Sequence, residues 1–184
     1  MSPSRSDNHS IIIPPRLRPG DLIGVISPAG PVDASGLKPG LDLLTSRGFR
    51  VREAAHLYDR HDYLAGHDEA RLSDLNAMFL DSEVAAVFCA RGGYGSLRLL
   101  ERLDYDLIRQ HPKIIVGYSD ITALLMAVHK MTGLVVFHGP MVQGLCAISD
   151  SSLEGLFRIL SSEEPASFDL MGGTPLLTGS AEGP

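Results

Sequence analysis

Apolar residues along this chain follow two patterns that take turns. Short continuous runs, Asp21-Leu-Ile-Gly-Val-Ile26, Val84-Ala-Ala-Val-Phe-Cys89, Ile114-Ile-Val116 and Leu134-Val-Val-Phe137, are rich in β-branched residues and too short for helices. They read as buried strands, and Phe49 to Arg52 is a candidate for one more. Between them, apolar positions recur at helical spacing: Leu37, Leu41 and Leu44; Leu72, Leu75, Met78 and Phe79; Leu124, Leu125, Val128 and Met131; then Leu153, Leu156, Phe157 and Leu160. Strand and helix alternating in this way predict an α/β fold, an open, mostly parallel sheet with helices on both faces.

The punctuation between these runs carries the candidate chemistry. Gly117 closes the Ile114 run, and a helix period begins at Ile121, so Ser119 sits on a sharp strand-to-helix turn. A hydroxyl there can project over the sheet edge, beside helix N–H groups that favour developing negative charge. The strict nucleophile-elbow pattern is broken, because Gly117-Tyr-Ser-Asp-Ile121 lacks its second glycine. Taken alone, the stretch favours a plainer role in which Ser119 or Asp120 caps the helix. A second turn, Arg91-Gly-Gly-Tyr-Gly-Ser96, leaves the Val84 strand. Glycines at Gly92 and Gly93 allow backbone N–H groups to approach an anion closely. The order matches neither a dinucleotide fingerprint nor a phosphate loop, and a tight connection explains it equally well. Both turns leave the carboxyl ends of strands, where an open parallel sheet has its crevice.

Composition narrows the classes. With 184 residues, 44% hydrophobic and 21% charged, the chain suits one globular domain of residues 15–163, a flexible tail over 1–14 and a linker over 164–184. Thr174 to Leu177 could form one short strand within that linker. A net charge of −6 without a Lys/Arg cluster argues against nucleic acid and anionic membranes, and no run reaches bilayer-spanning length. The partner expected is a small molecule or peptide. Cys89 and Cys146 form no metal spacing or disulfide framework, and no secretory signal is seen, so a cytoplasmic setting is expected. His56, Asp59, His61 and Asp62 share one unpatterned segment that reads as a surface loop, not a metal site. No cofactor is called for.

Taken together, Ile26-Ser-Pro-Ala29, Arg91-Gly-Gly-Tyr-Gly95 with Leu99-Leu100, Gly117-Tyr-Ser-Asp120 with Thr122-Ala123, and His138-Gly-Pro-Met141 closely resemble the LD-carboxypeptidase family, which includes the microcin C7 self-immunity proteins. The resemblance implies a serine peptidase with a Ser-Glu-His triad that removes the terminal D-alanine of muropeptide tetrapeptide stems during peptidoglycan recycling. It implies that Ser119 is the nucleophile. The backbone N–H of Asp120 and that of either Gly92 or Gly93 would form the oxyanion hole. Arg91 and Tyr94 are candidate substrate-binding residues. Arg91 could pair bidentately with the substrate carboxylate or equally make a surface or interdomain salt bridge. A homodimer is also implied.

In the family, the triad's glutamate and histidine lie beyond the point where this sequence stops. His138, His129 and Glu182 are poor substitutes, so the chain alone is expected to be inactive. Two other functions stay open. One is hydrolysis of aminoacyl-nucleotides, as in the self-immunity branch. The other is a non-catalytic binding or dimerisation module.

Overall fold

The computed structural model describes residues 10–163. Five parallel strands, β1 (Leu22–Ile26), β2 (Arg50–Glu53), β3 (Val84–Cys89), β4 (Ile114–Gly117) and β5 (Phe137–His138), form one sheet in the order β2-β1-β3-β4-β5. The helices are α1 (Ala34–Ser46), α2 (Asp68–Leu80), α3 (Tyr105–Gln110), α4 (Ile121–Thr132) and α5 (Asp150–Ser161). Two 3₁₀ segments, Ser96–Arg102 and Val142–Ala147, complete the set. The expected α/β class with an open parallel sheet is what is found.

The chain steps from β1 outward to β2, then crosses back over β1 and continues in the other direction. Right-handed crossovers therefore place α1 on one face and α2, α3 and α4 on the other. Packing agrees. α1 lies against the Val142–Ala147 segment, and Gly40 is required there because a Cβ would stand 2.0 Å from the Val142 carbonyl oxygen. On the same face Arg47 pairs with Glu154 at 2.7 Å, and Phe49 stacks on Phe157 with centroids 5.5 Å apart. On the opposite face α2 touches α3, and α3 touches α4.

All residues of β1 and β4 are buried. That accounts for their continuous apolar runs, since a strand covered on both faces has no polar side to present. The Leu134 run behaves differently from expectation. Only Phe137 and His138 pair with β4, opposite Val116 and Gly117. The earlier part of the run turns to the N-terminal segment instead: the Ile12 N–H donates to Gly133 O at 2.9 Å, and the Val135 N–H to Ile12 O at 2.8 Å.

The strand order reverses between β1 and β3, and the crevice of such a sheet opens beyond the carboxyl ends at that reversal. Here the two flanking loops close on one another, with the Gly30 N–H donating to Gly92 O at 2.9 Å. A Cβ on Gly30 would meet that oxygen at 2.7 Å. Beneath them Arg71, fully buried, ties the loops together by donating to Pro28 O at 2.6 Å and Gly95 O at 3.0 Å. The glycine-rich turn is thereby fixed beside the end of β4.

Candidate active site

The turn after β4 is forced by its packing. A Cβ on Gly117 would come within 2.6 Å of Ile121 Cγ2, so only glycine lets the chain fold straight back into α4. Three residues make the reversal, and the middle one, Ser119, adopts φ +62°. Among the described residues only one other non-glycine, Asp62 at φ +54°, is left-handed. That conformation costs a serine about 1–2 kcal/mol. Such strain at an exposed hydroxyl between a buried strand and a helix is the geometry of a nucleophile elbow.

Neither side chain of the turn caps α4, contrary to the plainer reading of this stretch. Asp120 is itself helical in conformation, with φ −55° and ψ −31°, and makes no capping bond to its own helix. Its carboxylate reaches sideways: Oδ2 accepts the Ser96 N–H at 2.8 Å, and the Asp120 carbonyl accepts the Ser96 hydroxyl at 2.6 Å. The first N–H groups of any helix lack internal partners, and Gly95 at the N-cap of the Ser96 segment has no side chain to offer. Asp120 supplies that acceptor from the neighbouring turn. Ser96 is fully buried, and nothing in the sequence marked it beyond its place at the end of the glycine-rich turn.

The same turn meets the serine directly. A Cβ on Gly92 would lie 3.1 Å from Ser119 Cβ and 3.3 Å from Oγ. Gly93 has φ +111°, a conformation that side chains rarely tolerate. The Gly92 carbonyl is turned to Gly30, and the trans peptide directs the Gly93 N–H the opposite way. Among the described residues, the N–H groups of Gly92, Gly93 and Asp120 donate no hydrogen bond. Three unpaired donors thus flank one exposed hydroxyl, the kind of arrangement that can stabilise an oxyanion.

The other candidates fall around this centre. Arg91 donates to Pro31 O at 2.8 Å and makes no ion pair among the described residues, which leaves guanidinium donors for a further acceptor. Tyr94 is 54% exposed and meets the Tyr63 ring edge-to-face at 5.6 Å. His138 follows Phe137 at the neighbouring strand end, exposed, its ring 6.2 Å from that of Tyr118. His129 belongs to the far end of α4, where Nδ1 bonds Leu134 O at 2.9 Å, so it takes no part. Glu182 and the Thr174 to Leu177 stretch lie outside the described residues. Cys89 packs under the turn, and burial pushes its thiol up to about 12, which makes it an unreactive core residue.

Among the described residues no three His, Cys, Asp or Glu groups converge as a metal site. In the Glu53–Gly66 loop, His56 Nδ1 bonds Asp74 at 2.8 Å, and the His61 ring packs on that of His67 at 4.2 Å. Leu57, Leu64 and Ala65 of the same loop are buried, a packing role that its lack of periodicity concealed.

Comparison with known proteins gives a consistent picture. The model of the LD-carboxypeptidase N-terminal domain matches residues 23–139. A probable murein peptide carboxypeptidase of Bacillus subtilis is 44% identical over 92% of this chain and 54% of its own length. The murein tetrapeptide carboxypeptidase of Pseudomonas aeruginosa is 38% identical over 67% of this chain and 40% of its own. Among solved structures, the wild-type microcin C7 self-immunity protein MccF superposes with TM-score 0.79 at 29% identity, covering 84% of this chain and 48% of that one. The muramoyltetrapeptide carboxypeptidase of Oxalobacter formigenes gives TM-score 0.70 at 33% identity, covering 77% and 48%. The chain spans about half the length of the curated relatives it matches.

Proposed function

The chain belongs to the LD-carboxypeptidase family, and on that premise we propose that it provides the nucleophile and oxyanion hole of a serine carboxypeptidase acting on muropeptides. The observation that carries the reading is the strained Ser119 backbone with Gly92 packed against its hydroxyl. A backbone strain of about 1–2 kcal/mol is of the kind that gathers at functional sites, and here it projects Oγ between unpaired N–H groups.

In the proposed reaction, Ser119 Oγ attacks the carbonyl of the L,D bond that holds the terminal D-alanine. The tetrahedral oxyanion is received by the Asp120 N–H and that of Gly92 or Gly93, each worth about 3 kcal/mol of barrier. Collapse expels D-alanine and leaves an acyl-serine, which water hydrolyses. A base must take the serine proton and return it to the leaving amine. That role falls to the family's glutamate and histidine, which the resemblance assigns to the half of the relatives not spanned here. The proposed chain is therefore inactive alone. Arg91, with donors to spare, is the proposed partner of the substrate's terminal carboxylate. The proposed setting is the cytoplasm and the proposed assembly a homodimer.

Identity favours murein substrates, at 44% and 38% against 33% for the microcin C7 self-immunity protein. Backbone likeness leans the other way, 0.79 against 0.70, and keeps aminoacyl-nucleotide hydrolysis as the second reading. Acid quenching of the protein produced by its own cells, during turnover of a tetrapeptide muropeptide, distinguishes them. An acyl adduct on the Ser119 peptide is expected. Turnover without any adduct on that peptide, or turnover of the aminoacyl-nucleotide alone, overturns the reading.

A further inference from the structure

Two large aromatic faces stand in solvent near the elbow without a structural reason to do so. Tyr63 is 59% exposed and Tyr94 54% exposed, and their rings meet at 66° with centroids 5.6 Å apart. Buried tyrosines normally spend their area on the core. Here both loops are anchored by other residues: Leu64 is buried, and a Cβ on Gly95 would meet its Cδ2 at 2.5 Å, while His61 and Leu64 exchange backbone hydrogen bonds at 2.9 Å. The tyrosines are held outward as a fixed corner.

We infer that the Tyr63–Tyr94 corner is a saccharide subsite that receives the sugar end of the substrate. The C–H groups of a pyranose face carry partial positive charge and stack on the negative face of an aromatic ring. Two rings at 66° contact one face and one edge of such a ring together. The groove beside Tyr63, about 300 Å³, is lined by His61, Asp62, His67 and Arg98 among others. Its charges select against a nucleotide. Arg98 and Arg102 have their charge already opposed by Asp68 and Glu69, at 2.9 Å each, which weakens the pull of this groove on a phosphate. Asp62, by contrast, has no ion-pair or hydrogen-bond partner for its carboxylate among the described residues, and a carboxylate accepts from sugar hydroxyls.

The reach is right as well. Tyr94 follows Gly92 by two residues, no more than about 7 Å of chain, and Gly92 touches Ser119. From the scissile carbonyl of a tetrapeptide stem back to its sugar is three residues, about 10 Å when extended. The reach, though not the corner itself, rests on the muropeptide reading.

The chain has five tyrosines and no tryptophan, so the ring NMR signals are few, and those of Tyr63 and Tyr94 are assigned by their loss in the alanine variants. The test titrates the 184-residue chain with N-acetylmuramoyl-tetrapeptide, the free tetrapeptide, N-acetylmuramic acid and adenosine monophosphate. The muramoyl compound is expected to bind about tenfold more tightly than the free peptide, a difference of about 1.4 kcal/mol. Tyr63→Ala and Tyr94→Ala should each bring it down to the free peptide's affinity, and Tyr63→Phe and Tyr94→Phe should keep the advantage. Equal affinity for the two peptides, persistence of the advantage in the alanine variants, or a preference of the corner for adenosine monophosphate overturns the proposal. If N-acetylmuramic acid alone shifts the two ring signals while neither peptide binds, the muropeptidase reading fails and the saccharide subsite stands.

Discussion

Ser96 and Asp120 are bound to one another twice, the Ser96 N–H to Oδ2 at 2.8 Å and the Ser96 hydroxyl to the Asp120 carbonyl at 2.6 Å. The pair joins the two turns whose N–H groups would share an oxyanion, so their spacing is set by this clasp. Ser96→Ala deletes the hydroxyl and leaves the Asp120 carbonyl without that donor. A loss of about 1–2 kcal/mol in unfolding free energy is expected from thermal or urea denaturation. Asp120→Asn, whose amide oxygen can still accept from Ser96, should cost less than Asp120→Ala, and the reverse order would contradict the clasp.

Ser119 predicts a trade between stability and chemistry. Glycine adopts φ +62° without the steric penalty that a Cβ brings. Ser119→Gly should therefore be more stable to unfolding than Ser119→Ala, by about 1 kcal/mol, with the higher melting temperature of the two, although both lack the hydroxyl. Equal melting temperatures for the two variants would mean that the backbone at 119 is relaxed.

Two glycines separate fold from site. Gly92→Ala would set a methyl group 3.1 Å from Ser119 Cβ, crowding the hydroxyl while leaving the core alone. Loss of turnover with stability changed by less than about 1 kcal/mol is expected. Gly40→Ala would drive a Cβ to 2.0 Å from the rigid Val142 carbonyl. There the expectation is destabilisation of about 3 kcal/mol or more, read in denaturant unfolding.

His56 predicts the pH response of the loop beside the saccharide corner. Its pKa is raised above the ordinary 6.5, first by the hydrogen bond to Asp74, then by the charge of Asp74 and, more weakly, of Asp59. A raised folded-state pKa means that the bond stabilises the protein fully below pH 6.5 and loses that contribution as pH climbs through the higher folded value. The stability gap between wild type and His56→Gln should accordingly narrow from pH 5 to pH 9 in parallel unfolding curves. A gap that stays constant or widens toward alkaline pH would show that the imidazole is not held as the cation.

The fold was readable because its determinants are local. β3 occupies the whole of the Val84 to Cys89 run, and α4 carries its buried Leu124, Leu125 and Val128 at the spacing that announced a helix. The shortness of β5 was not readable, since the Val135 N–H is taken by Ile12, a partner distant in the sequence. The same holds at the site. Ser119 and the two glycines announce themselves by their turns, but the assignment of Asp120 as a partner of Ser96 needs knowledge of which turns adjoin. Tyr63 was hidden for a similar reason, because a loop without periodicity gives no hint that its buried Leu64 fixes a neighbouring ring outward.

On the proposed function, Ser119 is the nucleophile of a muropeptide carboxypeptidase. The most direct measurement is D-alanine release from a tetrapeptide muropeptide by the protein its own cells produce, compared with its Ser119→Ala variant in parallel with binding of the same substrate. Turnover reduced by about 10³-fold or more, with affinity held within about twofold, is the predicted result. Release of D-alanine by Ser119→Ala at a rate near that of wild type would contradict it.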